Sequence, residues 1–411
     1  MRTGKIIPKE KQKSRIHTNK HQSKIFRVNS SSFVANSPCP GMLFPTQEIG
    51  SIAKPNWLVK KLRGKELNEF DWAELNYWLG FAGIKDNEEL KRLLAKNELA
   101  EPDRTRLAQW SNILVLKCFE KTGLDIICDG EQQRTEMYQE PATYIQGFKF
   151  LGEVRSFDNK YYRKASCIAQ PKLALQYHLN EFNFVQDQTS TPLKVPITGA
   201  YTLMNWSFNE YYLKKWEKLE KNRSKARWQA NQEFAVDLAK HIIKPNIAGL
   251  RDSGAKLIQI DEPAATTKPD EIDIFVQSFN ESTQGFPSIR FNLHICFSDY
   301  SLLYPAILRL KNCCQFTFEF ANQGTAFDFL KLMKKHKDPR EVGLGVLDVH
   351  TDEIEPVEII YQRIKAAAQI IDPGKIYVNP DCGLRTRSWR IAFAKLGNMI
   401  KAVEIIRKEY R

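Results

Sequence analysis

The sequence predicts an α/β fold, a (β/α)8 TIM barrel with an inserted β-hairpin subdomain and a basic N-terminal arm. Three observations point there. Eight short apolar stretches recur along the chain, separated by segments with helical spacing, which is the count of a closed parallel barrel. The 411 residues with 42% hydrophobic content suffice for a barrel of about 250 residues plus insertions. Polar residues (Ser51, Glu131, Trp206, Asp261, His294, Cys296, Glu319, His350 and Cys382) fall at or just after the ends of these stretches, where a barrel carries its active-site mouth.

Taken in order, residues 1–40 form the arm and 41–411 the barrel. Gly41-Met-Leu-Phe-Pro-Thr46 leads into the first strand and a turn at Gln47-Glu-Ile-Gly50-Ser51. Helical spacing follows over 54–64, 67–83, 87–96 and 103–122. Leu124-Asp-Ile-Ile-Cys128 is the second strand and runs into Asp129-Gly-Glu131. Residues 145–192 break the rhythm: alternating runs such as Phe148-Lys-Phe-Leu and Lys172-Leu-Ala-Leu predict an inserted β-hairpin subdomain. Strands then resume at 194–198, 256–261, 289–296, 315–320, 342–348 and 375–380. Between them helices are expected over a charged section at about 208–247 and at 269–284, 299–311, 324–336, 353–371 and 386–410. A doubly wound sheet is the competing arrangement. Against it, Gly343-Leu-Gly345 lacks the third glycine and the helix start of a dinucleotide fingerprint.

The net charge of +13 is concentrated at one end. Residues 1–42 hold nine lysines or arginines against the single acid Glu10, a net of +8, leaving +5 for the remaining 369 residues. A nucleic-acid-binding body is therefore not expected. The tail reads as an extended or poorly ordered arm; its acid-poor, serine-containing composition is also that of a transit peptide. No apolar run reaches the roughly 18 residues that cross a bilayer. Eight scattered cysteines lack the dense spacing of a disulfide scaffold and fit a cytoplasmic enzyme with reduced thiols.

The chemistry concentrates in Ile289-Arg-Phe-Asn-Leu-His294-Ile-Cys296. Side chains two apart on an extended chain share a face, so His294 and Cys296 can bite one metal. A lone His-x-Cys is usually ordinary packing. Here Glu319 and Cys382 close two further strands, and one His, two Cys and one Glu make a four-coordinate zinc site.

At these residues the chain resembles the catalytic barrel of cobalamin-independent methionine synthase, in its short form. The matching stretches are Phe44-Pro-Thr-Gln-Glu-Ile-Gly50-Ser51, Asp129-Gly-Glu131-Gln-Gln-Arg134, Thr198-Gly-Ala-Tyr-Thr202-Leu-Met-Asn-Trp206, Asp261-Glu262-Pro263, His294-Ile-Cys296, Thr317-Phe-Glu319, Gly343-Leu-Gly345-Val-Leu-Asp348-Val-His350 and Asn379-Pro-Asp-Cys382-Gly. They cover about 42–400 in the family's order. The resemblance implies Zn2+ on His294, Cys296, Glu319 and Cys382, with homocysteine as methyl acceptor. It implies Glu131 and Asp261 on the amino group, Ile49, Gly50 and Ser51 at the carboxylate, Trp206 against the donor, and His350 in proton movement. His350, Glu131 and Asp261 are thus the expected catalytic residues. The expected donor is 5-methyltetrahydrofolate, with a methylated corrinoid, on a carrier protein, as the alternative. Gln133 stands where long enzymes tend to have an acid, and Ala264-Ala-Thr-Thr-Lys-Pro269 departs from their continuation; both bear on the donor. The rival activity is alkyl transfer to coenzyme M or another small thiol.

Two thiolates and a carboxylate around Zn2+ would leave a formal charge of −1, which keeps a substrate thiolate reactive and activates water poorly. A closed four-protein site is normally structural; Glu319, the only oxygen donor, is the candidate to yield.

Overall fold

A computed structural model describes residues 37–155, 161–322 and 326–410. Residues 1–36, most of the expected arm, lie outside the described residues. The last part of that arm does not hang free. Ser37 Oγ lies 2.9 Å from the Tyr377 hydroxyl, and Cys39 is buried with Ile126, Leu257 and Tyr377, because its small apolar side chain fills a gap beneath the strands.

Eight parallel strands close into a barrel. Two are very short: β1 at residues 46–47 and β2 at 126–127. The others are β3 Lys194–Thr198, β4 Leu257–Asp261, β5 Arg290–His294, β6 Cys313–Glu319, β7 Glu341–Leu347 and β8 Ile376–Pro380. Strands β3 to β8 form one continuous sheet in that order. The short strands close it: β1 bridges Val378 of β8 on one side and Ile126 of β2 on the other, and β2 bridges Leu193 ahead of β3. Backbone bonds from Gln47 N to Val378 O (2.9 Å), Val378 N to Pro45 O (2.8 Å) and Lys194 N to Ile127 O (2.9 Å) carry the closure.

Strands β5 to β8 are buried throughout, as expected when helices cover a parallel sheet. The barrel interior is nevertheless partly polar. Gln47 Nε2 donates to Gln315 Oε1 (2.8 Å) and Asn379 Oδ1 (3.1 Å), and Asn292 Nδ2 donates to the same Gln315 oxygen at 2.9 Å. Gly343 and Gly345 make room for this lining. A Cβ on Gly343 would stand 2.5 Å from Asn379 Oδ1, and one on Gly345 would stand 2.3 Å from Asp381 Oδ1 and 2.6 Å from the Phe318 carbonyl. The Gly-x-Gly pair is a spacing device inside the barrel.

The inserted hairpin pairs Ile145–Arg155 with Tyr161–Leu173 in antiparallel register, and Phe208–Asn209 adds a short parallel strand. The Tyr138 hydroxyl ties it to the barrel mouth, accepting from Ala165 N at 3.0 Å and lying 2.9 Å from Ser207 Oγ. Later in the 145–192 section the chain forms a helix, Leu179–Gln186, because Phe182 and Val185 are buried on one face. The helix expected over 299–311 is replaced by two 3-10 turns, Tyr300–Leu303 and Ala306–Arg309. Pro305 between them has no N–H to donate and disfavours helix in the residue before it. The charged 208–247 section is broken into Glu210–Leu219 and Arg223–Leu238, with a π turn at Ala239–Ile243. No helix of the described residues is long and apolar enough to cross a membrane.

Because backbone as well as a side chain crowds Gly345, Gly345→Ala should lower unfolding stability by about 1–3 kcal/mol. A denaturant midpoint equal to that of the unsubstituted chain would show that this glycine does not set the spacing.

Candidate metal centre and substrate-binding carboxylates

The strand ends bring His294, Cys296 and Cys382 to one point, with their ligand atoms all within 4.8 Å of one another. Strands β5 and β8 that deliver them are not neighbours, so the cluster spans the mouth. His294 Nδ1 lies 2.8 Å from the Thr317 carbonyl. A carbonyl only accepts, so Nδ1 carries the proton and the Nε2 lone pair faces the cluster, where it lies 3.6 Å from Cys382 Sγ. This is the orientation that metal-binding histidines receive from a backbone acceptor. The neighbouring Cys296 thiol and burial push the Cys382 thiol well above its ordinary range. Thiolates crowded in this way need a cation, and the donor set suits a soft one such as zinc.

Glu319 closes β6 with its carboxylate fully buried. Neither oxygen is in a close hydrogen bond among the described residues, although the Phe297 backbone lies near enough to favour the ionised form. Burial raises its pKa, and the nearby His294 partly offsets this. Its carboxylate stands outside the three-residue grouping. An orphaned buried carboxylate beside the cluster fits the remaining place in a donor set. Asp381, directly before Cys382, fixes the loop that leaves Glu319: Oδ1 accepts from Phe320 N and Ala321 N, both at 3.0 Å, and Oδ2 from Asn322 N at 3.1 Å. The ends of β6 and β8 are thereby held together.

Glu131 and Asp261 form a second feature. Gly130 (φ 64°) and Glu131 (φ 56°) are both left-handed. A Cβ at Gly130 would meet Val115 and Ile52 at under 3 Å (2.8 and 2.9 Å), so only glycine allows the turn that carries Glu131. Gly50 then passes so close that a Cβ there would lie 2.8 Å from Glu131 Oε1. The cation beside Glu131 is occupied elsewhere: Arg134 donates to Glu181 Oε2 (2.9 Å), Asp129 Oδ2 (3.1 Å) and the Pro196 carbonyl (2.8 Å), and stands 3.8 Å from Glu131 Oε1. Asp261 Oδ1 accepts from Gln259 Nε2 at 2.8 Å. Burial raises the Asp261 carboxyl, countered first by His294. Glu131 and Asp261 line one narrow cleft with Arg134 and Thr198. The cleft thus holds two half-buried carboxylates, with Arg134 engaged mainly by Glu181, Asp129 and the Pro196 carbonyl.

Trp206 is half-buried, follows the helix Ala200–Asn205 and meets Tyr138 edge-on, with ring centroids 6.3 Å apart. Glu262 accepts from Thr202 N (2.7 Å) and Thr202 Oγ1 (2.6 Å), anchoring the start of that helix. His350 is exposed after β7, and its ring centroid lies 5.7 Å from that of Phe297. Ile49 and Gly50 are buried and Ser51 half-buried in the loop after β1, and Gly383 lies against Ser51. Sequence reasoning missed Asp381, Gln259, Glu48 and Cys128. For the first three the signal was adjacency, each next to or two residues from a predicted site residue; Cys128 carried none.

Comparison with known proteins decides the family. A family model described as the catalytic domain of cobalamin-independent synthase matches residues 80–405. The chain belongs to the cobalamin-independent methionine synthase family. It is 37% identical over 369 residues to a methionine synthase of Pyrococcus abyssi, covering 89% of this chain and 94% of that protein. It is 39% identical over 389 residues to a methionine synthase of Thermoplasma acidophilum, covering 89% and 98% respectively. Among solved structures, a B12-independent methionine synthase from a Shewanella species, in complex with selenomethionine, superposes with a TM-score of 0.70 at 21% identity, covering 90% of this chain and 99% of that one; this likeness speaks to fold. The chain is a methyltransferase of the methionine synthase kind.

Burial pushes the Glu131 carboxyl from 4.5 up to about 7, Arg134 opposes this, and Asp261 raises it further. A carboxyl whose folded pKa exceeds its unfolded value weakens the fold as pH rises between the two. In metal-free protein, Glu131→Gln should therefore raise stability at pH 8 by about 1–3 kcal/mol. The gain should fade toward pH 4.5. A gain that does not change with pH in unfolding titrations would contradict this.

Proposed function

We propose that this methyltransferase moves a methyl group to the thiol of homocysteine, forming methionine, at a zinc ion held by His294, Cys296, Cys382 and Glu319. The observation that carries this reading is the gathering of one histidine and two cysteine donors at one point of the mouth, with the half-buried carboxylates Glu131 and Asp261 facing one cleft at the same barrel end. Bound zinc, with two thiolates and a carboxylate as neighbours, would keep a substrate thiol ionised and nucleophilic at neutral pH.

The remaining work falls to the chain's own side chains. Thr317 O fixes the His294 ring so that Nε2 stays an acceptor. Glu131 and Asp261 grip the α-ammonium of homocysteine; binding that cation relieves their mutual repulsion, so burial that is costly in the empty site becomes binding selectivity. Ile49, Gly50 and Ser51 meet the α-carboxylate. Together these contacts hold the thiol end toward the cluster. Trp206 offers an aromatic wall to a flat donor, and His350, exposed at the rim, exchanges a proton with solvent during transfer. Glu319, outside the tight grouping of the other three and in no close hydrogen bond among the described residues, is the donor best able to yield as substrate enters.

The donor favoured is 5-methyltetrahydrofolate, with a methylated corrinoid, on a carrier protein, as the second reading. Transfer to coenzyme M fits less well, since a thiol sulfonate has no amino group for Glu131 and Asp261. The free cysteines suit a cytoplasmic setting.

Zinc-loaded protein, incubated with homocysteine and each methyl donor in turn, should yield methionine. Glu131→Gln and Asp261→Asn should each raise the homocysteine KM about 10–100-fold while zinc content stays stoichiometric. Equal loss of zinc in those variants, or preferential methylation of coenzyme M, would reject the assignment.

A further inference from the structure

The turn after β1 and the turn after β2 are joined beneath the mouth by a buried carboxyl and thiol. Glu48 is fully buried. Its Oε1 accepts from Gly50 N at 2.8 Å, and its Oε2 lies 2.7 Å from Cys128 Sγ. The same sulfur lies 2.9 Å from the Gly50 carbonyl and accepts from Gly130 N at 3.3 Å. The thiol hydrogen therefore points at the 48–50 turn, while its lone pair holds the turn that carries Glu131. Two further donors fix the first turn: Lys194 Nζ donates to the Glu48 carbonyl, and Gln259 Nε2 donates to the Ile49 carbonyl at 2.9 Å.

These bonds engage the carbonyls of Glu48 and Ile49 and the Gly50 N–H, and the single thiol hydrogen is shared between Glu48 Oε2 and the Gly50 carbonyl. The N–H groups of Ile49 and Ser51 and the Ser51 hydroxyl form no hydrogen bond within the described residues. A turn whose acceptors are all engaged and whose spare groups are donors is prepared for an anion. Burying the Glu48 carboxyl without a cation bonded to it is costly, and a thiol of ordinary core type would not need an acceptor at hydrogen-bonding distance.

We propose that Glu48 and Cys128 are positioning residues that set the turn meeting a substrate α-carboxylate against the turn carrying Glu131, so that the pair fixes the spacing at which an α-amino acid is recognised. This rests on the reading under Proposed function that Ile49 to Ser51 face the carboxylate. Neither residue touches substrate; they act through Gly50 and Gly130.

The test compares homocysteine with its decarboxylated counterpart, 3-aminopropanethiol, as methyl acceptors on zinc-loaded full-length protein. The unsubstituted chain should prefer homocysteine in kcat/KM. Cys128→Ala removes the S–H and leaves Glu48 Oε2 without its donor. It should raise the homocysteine KM about tenfold, raise the KM for 3-aminopropanethiol far less, leave the zinc content unchanged, and so erase most of the preference. Cys128→Ser, which can donate to the same oxygen, should restore most of it. Glu48→Gln places an amide N–H where the thiol needs an acceptor and should lose the preference too, which keeps the test open should Cys128→Ala fail to fold. Equal weakening toward both thiols would mean general damage and overturn the proposal, as would an unaltered preference in Cys128→Ala or in Glu48→Gln. If the unsubstituted chain itself shows no preference for the carboxylate-bearing thiol, the underlying carboxylate reading fails, an outcome visible without any variant.

Discussion

Closure of the barrel through its two shortest strands is the constraint on which the site depends. His294 and Cys296 extend from β5, Glu319 from β6 and Cys382 from just past β8. In an open sheet the first and last of these would lie two strands further apart than the middle one and could drift. The backbone bonds between residues 45–47 and Val378 curl β8 back, and the polar lining around Gln47 and Gln315 fixes the register across the interior. Asp381 adds a direct strap from the end of β8 to the loop after β6. The two barrel glycines matter because they let Asn379 and Asp381 approach neighbouring strands.

A second theme is carboxyl burial. Glu48, Glu131 and Asp381 are each pushed up to about 7, with burial the first cause, opposed by Lys194 at Glu48 and by Arg134 at Glu131, and Glu319 is buried with neither oxygen in a close hydrogen bond among the described residues. An interior assembled for stability alone would avoid this. The distribution has a logic. Carboxyls with backbone donors, such as Asp381 and Glu262, hold loops and helix starts. Glu131, with Arg134 at 3.8 Å, and Glu319, with neither oxygen in a close hydrogen bond among the described residues, lie at the strand ends around the mouth. The division between structural and binding acids follows from which oxygens already have donors.

Much of the barrel was legible in the sequence because buried parallel strands are continuous apolar runs and their polar ends stand out. His294 with Cys296 was legible from period-two geometry alone. The interior polar lining was not: Gln47 was expected in the turn after the first strand, and no local signal shows that Asn292 and Gln315 face inward until the closed ring turns them there. Leu302, Leu303 and Ile307 gave the 299–311 segment helical spacing, but Pro305 outweighs spacing by removing a backbone donor. Cys128 is indistinguishable in sequence from any core cysteine; its role depends on Glu48, eighty residues away. That Glu319 falls outside the tight grouping of the other three donors is a tertiary distance, which no local pattern encodes.

Zinc K-edge X-ray absorption on stoichiometrically loaded protein tests the central claim most directly. The prediction is one zinc per chain with two sulfur neighbours from Cys296 and Cys382 and lighter nitrogen or oxygen neighbours completing the shell. A shell without sulfur, or protein that retains no stoichiometric zinc, would contradict it.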